Sequence, residues 1–132
     1  MTHRFPIRVY YEDTDLAGIV YYANYLKFIE RGRSELLRAL GVDQGRLKAE
    51  AGIVFAVRRV EADYLLPAVF DDLLTVRTWI TSISGARVTM GQEVVRDGTL
   101  LFRAEVTVAC LTPTGRPARI PPAIRATLTA SG

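Results

Sequence analysis

A single long helical pattern, set in a chain that otherwise reads as strand, limits this sequence more than any other feature. Tyr25, Ile29, Gly32, Leu36 and Leu40 recur at helical spacing, while Lys27, Glu30, Arg31, Ser34 and Arg38 fall largely elsewhere. The spacing predicts a helix from about Tyr22 to Leu40, closed by Gly41 as its C-terminal cap. Such a helix is about 30 Å long, enough to fill the groove of a small sheet. A helix with one apolar stripe must bury that stripe, and the rest of the chain offers mainly strands to bury it against.

Phe5, Ile7, Val9 and Tyr11 alternate with Pro6, Arg8 and Tyr10, which predicts a first strand with its proline near the start. Asp43 to Ala51 reads as a short helical turn or loop that ends at Gly52. Beyond it, "IVFAVRRVEADYLL", "LLTVRTWITSI", "ARVTMGQEVVR" and "LLFRAEVTVACL" carry strand patterns, separated by Pro67 to Asp72, "SISGA" and the hairpin signal in "RDGT". In the last strand Phe102, Ala104, Val106, Val108 and Cys110 share one face and Arg103, Glu105 and Thr107 the other, so the sheet has an apolar and a polar side. The tail "TPTGRPARIPPAIRATL" adds one closing helical turn after Pro121 and Pro122. The order implies one α+β domain over residues 1–132, mainly antiparallel, with the helix against one face of the sheet. A single sheet around a single helix leaves edges exposed, and pairing between subunits is a natural remedy.

Composition excludes much chemistry. His3 is the only histidine and stands near the terminus, so histidine triads and histidine metal sites have no material to work with. Cys110 alone makes neither an internal disulfide nor a cysteine-rich metal site, and its place in an apolar pattern reads as a buried thiol. The net charge of +3 comes from scattered arginines, which suits a small anionic ligand as well as a polynucleotide, but no reading helix or stacking motif for nucleic acid is evident. The start of the chain lacks a hydrophobic signal core and no apolar run approaches a membrane span, so the cytoplasm is the expected compartment. Carboxylates, hydroxyls and backbone groups remain as reagents.

The stretch "YYEDTDLAGIVYYANY" joins strand to helix. The first N–H groups of a helix have no partner within it and attract negative charge. Gly18 lets the chain bend, and donors near Tyr21 and Tyr22 could then grip a carbonyl oxygen that is becoming an oxyanion. Asp15, just upstream, is placed to attack the same carbonyl carbon or to deprotonate a water that does so. Asp13, Thr14 and Asp15 would equally serve as caps for those donors. Glu12 reads as a solvated strand-end charge. Glu30 lies within reach of Arg33 and Ser34 as a surface pair, with a second catalytic acid as the alternative. Gly32 points to close packing on the sheet.

"YYEDTDLAGIVYYANYLKFIERGRSELLR" resembles the signature of the hotdog-fold acyl-CoA thioesterases of the 4-hydroxybenzoyl-CoA thioesterase type, specifically the bacterial branch associated with the Tol-Pal envelope system. "FAVRRVEADYLLPAVFDDLLTVRTWI" and "TPTGRPARIP" extend the resemblance from about Phe5 to Pro121. It implies an antiparallel five-stranded sheet wrapped around one long central helix, and hydrolysis of acyl-CoA to free acid and CoA. By the same resemblance Asp15 is the essential carboxylate, as nucleophile or general base, and the backbone N–H of Tyr22 polarises the thioester carbonyl. Many members of the Tol-Pal branch carry histidine where this chain has Tyr22, whereas the 4-hydroxybenzoyl-CoA enzymes carry tyrosine, which leaves the backbone role intact. Gly18, Val20, Tyr21, Tyr25, Phe55 and Val57 are the implied surroundings of the substrate, with Phe28 beside the acyl channel. Arg59, Arg87, Arg116 and Arg119 are the candidates for the CoA phosphates. The resemblance further implies a homodimer or homotetramer with CoA at subunit interfaces, no metal or redox cofactor, and acyl-CoA or an acyl carrier protein as the partner. A non-catalytic acyl-binding module and an envelope-associated interaction protein are the rival readings.

Overall fold

The computed structural model describes all 132 residues. Its elements are β1 (His3–Arg8), α1 (Asn24–Ala39), α2 (Gln44–Ala51), β2 (Val54–Tyr64), β3 (Leu73–Ile83), β4 (Arg87–Arg96), β5 (Thr99–Leu111) and α3 (Pro122–Ser131). The strands form one five-stranded sheet in the order β1-β3-β4-β5-β2, every neighbouring pair antiparallel. This is the hotdog arrangement, with α1 lying in the curve of the sheet.

The period-two pattern explains which face α1 meets. Leu74, Val76 and Thr78 of β3, Val88, Met90, Gln92 and Val94 of β4, and Phe102, Ala104, Val106, Val108 and Cys110 of β5 all point inward and are buried. Tyr25, Phe28 and Ile29 of α1 complete one apolar cluster with them, and Leu36 and Leu37 complete another with Val42, Ile120 and Leu128. The outer face carries Arg77, Glu93, Arg103 and Asp63 in one cross-strand row, joined by Arg77–Glu93 at 3.5 Å and Arg103–Asp63 at 3.0 Å. A solvated face of this kind gains little from such pairs beyond solubility.

Gly32 is where helix and sheet come closest. A methyl group built there would stand 2.5 Å from Cγ1 of Val76 and 3.0 Å from Oγ1 of Thr78, both fully buried. Gly32→Ala therefore loses stability despite its better helix propensity. The expected net cost is about 1 kcal/mol, as overpacking of about 1–3 kcal/mol outweighs a gain of up to about 1 kcal/mol. A lower denaturation midpoint at unchanged m-value is the check.

Several boundaries differ from the sequence expectation. α1 begins at Asn24, because Ala23 at the N-cap offers no side-chain acceptor and the chain turns through Tyr22 and Ala23 first. α2 is a true helix, capped by Asp43, whose Oδ1 accepts from the N–H of Arg46 at 3.0 Å, and ended by Gly52 in the left-handed region. α3 extends well past the single turn expected and plugs one end of the core with Leu128. β2 contains a bulge between Val57 and Arg59. As the unpaired edge of the sheet β2 is largely exposed, including Val57, Val60 and Tyr64 on the side that faces α1.

Candidate active site

After β1 the chain makes one 3-10 turn, Tyr11–Asp13, and then doubles back, with Thr14 paired to Val20. Asp15 occupies the first corner of that tight loop. Its N–H donates to the carbonyl of Ile19 at 2.9 Å, and its own carbonyl accepts from the N–H of Gly18 at 3.0 Å. Gly18 stands at φ +82°, a backbone geometry that side chains resist. The Asp15 carboxylate is exposed on the single chain and accepts only the N–H of Ala17, at 2.9 Å on Oδ1.

Asp13 is committed to the same loop. Its Oδ2 accepts from the N–H of Tyr10 at 2.7 Å, and its carbonyl accepts from the N–H of Tyr21 at 2.8 Å and from Nδ2 of Asn24 at 2.9 Å. Neither acid nor Thr14, whose hydroxyl bonds the carbonyl of Tyr11, caps α1. The N–H groups of Tyr22, Ala23 and Tyr25 consequently have no partner in the chain. Unclaimed donors at the positive end of a helix, with a free carboxylate on the loop that leads into it, can polarise a carbonyl and attack it or activate water beside it.

An aromatic cluster fixes these donors. The Tyr64 hydroxyl donates to the carbonyl of Tyr22 at 2.9 Å, and the Tyr64 ring meets Tyr22, Tyr25 and Phe102 edge-on. Burial, with Tyr22 and Tyr25 alongside, holds the Tyr64 phenol above its ordinary range, so it remains a donor at neutral pH. Sequence alone does not single out Tyr64, whose only signal is a tyrosine ending the alternation of β2. Tyr25 and Val20 are core residues, 3% and 2% exposed. Tyr25 stacks on Phe102 and its hydroxyl accepts the N–H of Ala68 at 3.0 Å. Phe28 is fully buried in the same cluster.

Phe55 and Val57 lie elsewhere, in a cavity of about 160 Å³ between α1 and the inner side of β2. Leu37, Val88, Met90, Val108 and Leu128 give it an apolar floor, and Glu30, Arg33, Ser34 and Gln44 its polar wall. Asp15, Gly18, Val20, Tyr21, Tyr22 and Tyr25 do not line it, so on one chain the acid and the cavity are separate. The expected Glu30 pairing is met in half: Ser34 donates to Oε1 of Glu30 at 3.2 Å, but Arg33 turns inward.

Arg59 and Arg87 meet on the outer face of the sheet in a hollow shared with Arg58, Ser82, Ser84, Thr89 and Thr107, with no apolar residue. The bulge turns Arg58 to the same side as Arg59, which strict alternation would not predict. Arg59 is ion-paired with Glu61. Arg116 and Arg119 are exposed on the segment after β5 and do not line that hollow. That segment runs beside the β3–β4 turn, where the N–H of Ile120 donates to the carbonyl of Gly85 at 3.0 Å. Cys110 is buried, its thiol pushed up by burial, and it reaches only the carbonyl of Arg119.

Comparison with known proteins identifies the family. The chain is 46% identical over 111 residues to the acyl-CoA thioester hydrolase YbgC of Escherichia coli O157:H7, an alignment spanning 83% of this chain and 82% of that one. It superposes on the crystal structure of a probable thioesterase from Bartonella henselae with a TM-score of 0.89 at 41% identity, covering 92% of this chain and all of that one. A 4-hydroxybenzoyl CoA thioesterase mutant shares the fold, with a TM-score of 0.90 at 23% identity over 96% of this chain and 98% of that one. Residues 9–128 match the family model of the thioesterase-like superfamily, and the chain belongs to that family.

Proposed function

We propose that this protein is an acyl-CoA thioester hydrolase that releases a free carboxylic acid and CoA. One observation carries the reading: the amides that open α1 are unclaimed, while Asp15, on the loop leading to them, spends a single carboxylate oxygen on its own turn. The identity with acyl-CoA thioester hydrolases over most of the chain supports the same substrate class. Asp15 supplies the attacking oxygen or the base, and the N–H of Tyr22 the oxyanion contact. CoA enters as part of the substrate, and the reading includes no metal or redox cofactor. Arg59 and Arg87, with Arg116 and Arg119 on the neighbouring segment, take the CoA phosphates. Release of free thiol from a panel of acyl-CoA chain lengths is the test. Binding of the thioesters without thiol release would instead make this a non-catalytic acyl-binding module.

The working unit in this proposal is a homodimer, or a tetramer of such dimers. The exposed edge of β2 and the separation of Asp15 from the apolar cavity support it, since a second copy against β2 can bring its loop to that cavity. Light scattering and the concentration dependence of activity test it together. No helix is long and apolar enough to cross a membrane. The opening motif supports the Tol-Pal-associated branch and an acyl carrier protein as a second thioester donor; assay with acyl carrier protein thioesters addresses the latter.

Tyr64 belongs to the same machinery as a positioning residue. Its bond to the carbonyl of Tyr22 pins the backbone of the residue whose N–H makes the oxyanion contact. Tyr64→Phe keeps the ring packing and is expected to lower kcat about tenfold with little change in KM, as loss of one neutral hydrogen bond predicts. Steady-state kinetics beside a melting curve separates this from a folding defect.

A further inference from the structure

Arg33 is the one cation of α1 that turns into the molecule. Its Nη1 donates to Oε1 of Gln92 at 2.9 Å, and Gln92 is itself fully buried. Gln92 spends its amide hydrogens on the carbonyl of Ile29 at 2.8 Å and Oγ1 of Thr78 at 2.9 Å, which fixes its oxygen toward Arg33. The guanidinium has no carboxylate within ion-pair reach, since none of the ion pairs in the fold includes it. Burial draws its pKa down, with Glu30 opposing that shift. Glu30 is itself held by Ser34. A half-buried arginine with most of its N–H groups unspent thus stands in the wall of a cavity with an apolar floor.

We infer that Arg33 is a specificity-determining residue that selects acyl groups bearing an acceptor oxygen, a hydroxyl or ketone, over plain alkyl groups of the same length. Cavities of this kind orient a ligand through a few polar groups set in an apolar lining. A neutral oxygen fits better than a ligand carboxylate, because the carboxylate of Glu30 lines the same cavity wall and would repel a second anion there. A hydroxyl has a further advantage, as it accepts from Arg33 while its proton is free for Glu30. Gln92 holds the helix through Ile29 without help from Arg33, so anchoring alone does not account for the inward turn.

The inference rests on the thioesterase reading, and its test keeps the two apart. Straight-chain acyl-CoA thioesters of increasing length are each assayed beside the counterpart with a terminal hydroxyl. The native protein is expected to prefer the hydroxylated member by about tenfold or more in kcat/KM at the length that reaches Arg33, the worth of a hydrogen bond to a charged group. Arg33→Met brings that ratio close to one, and Arg33→Lys restores part of it. Any general loss from imperfect folding affects both substrates and cancels in the ratio. No preference in the native protein, or a preference that survives Arg33→Met, overturns the inference while leaving the thioesterase reading intact. No thiol release from any thioester overturns that reading instead.

Discussion

Asp15→Asn lowers turnover by about 100-fold or more, with KM nearly unchanged and the fold intact. Asparagine has the same shape, and its side-chain oxygen still accepts the N–H of Ala17, so the loop keeps the bond that the carboxylate makes now. The site is exposed, so no burial energy changes with the charge. What disappears is the anionic oxygen. Whether that oxygen attacks the thioester carbon or deprotonates water, the barrier rises by the worth of the missing nucleophile or base. Thiol release at saturating substrate reads the loss, and a thermal melt confirms the fold. Full activity in the variant would move the reagent elsewhere, first to Glu30, the carboxylate of the cavity wall. Single turnover in heavy-oxygen water then separates the two mechanisms. A nucleophilic Asp15 forms a mixed anhydride with loss of the CoA thiolate, and water attacking that anhydride at the aspartyl carbon leaves the label in Asp15. A general base leaves it only in the released acid.

The architecture was legible because its two periods are clean. Helical spacing from Tyr25 to Leu36 and alternation from Phe102 to Cys110 assign α1, β5 and the face on which they meet, and the buried residues follow both patterns. Gly32 was legible as a contact and is one. What the pattern hid were inversions of it. Arg33 faces inward because the glycine beside it brings the helix against Thr78 and Gln92. Arg58 joins Arg59 because the bulge in β2 breaks the alternation, and a bulge leaves no mark in a single sequence. α3 has one fully buried anchor, Leu128, too little for a periodic signal. Before a helix Asp13, Thr14 and Asp15 read first as caps, with Asp15 as a reagent the alternative. Only the hydrogen bonds distinguish these, since all three serve the loop and none serves the helix.

Gln92→Leu destabilises the protein by about 3 kcal/mol, although leucine fits the apolar face better by type. Gln92 breaks the inward row of Val88, Met90 and Val94, so a pattern-based repair would choose a hydrophobe there. The carbonyl of Ile29 survives the change, as its helical partner remains. The Thr78 hydroxyl, fully buried, loses the amide it accepts from, and the Arg33 guanidinium loses its only acceptor in the chain. Each stranded group costs about 1–3 kcal/mol, more when it is charged, and the transfer gain of leucine offsets only part of that. A lower denaturation midpoint with unchanged m-value measures the loss. The double variant Gln92→Leu with Arg33→Met decides its cause. Removing both partners leaves no unpaired charge, so the pair is expected to cost less than the sum of the single changes by at least about 1 kcal/mol. Strict additivity would mean that Gln92 acts through packing alone, and that the inward turn of Arg33 owes nothing to it.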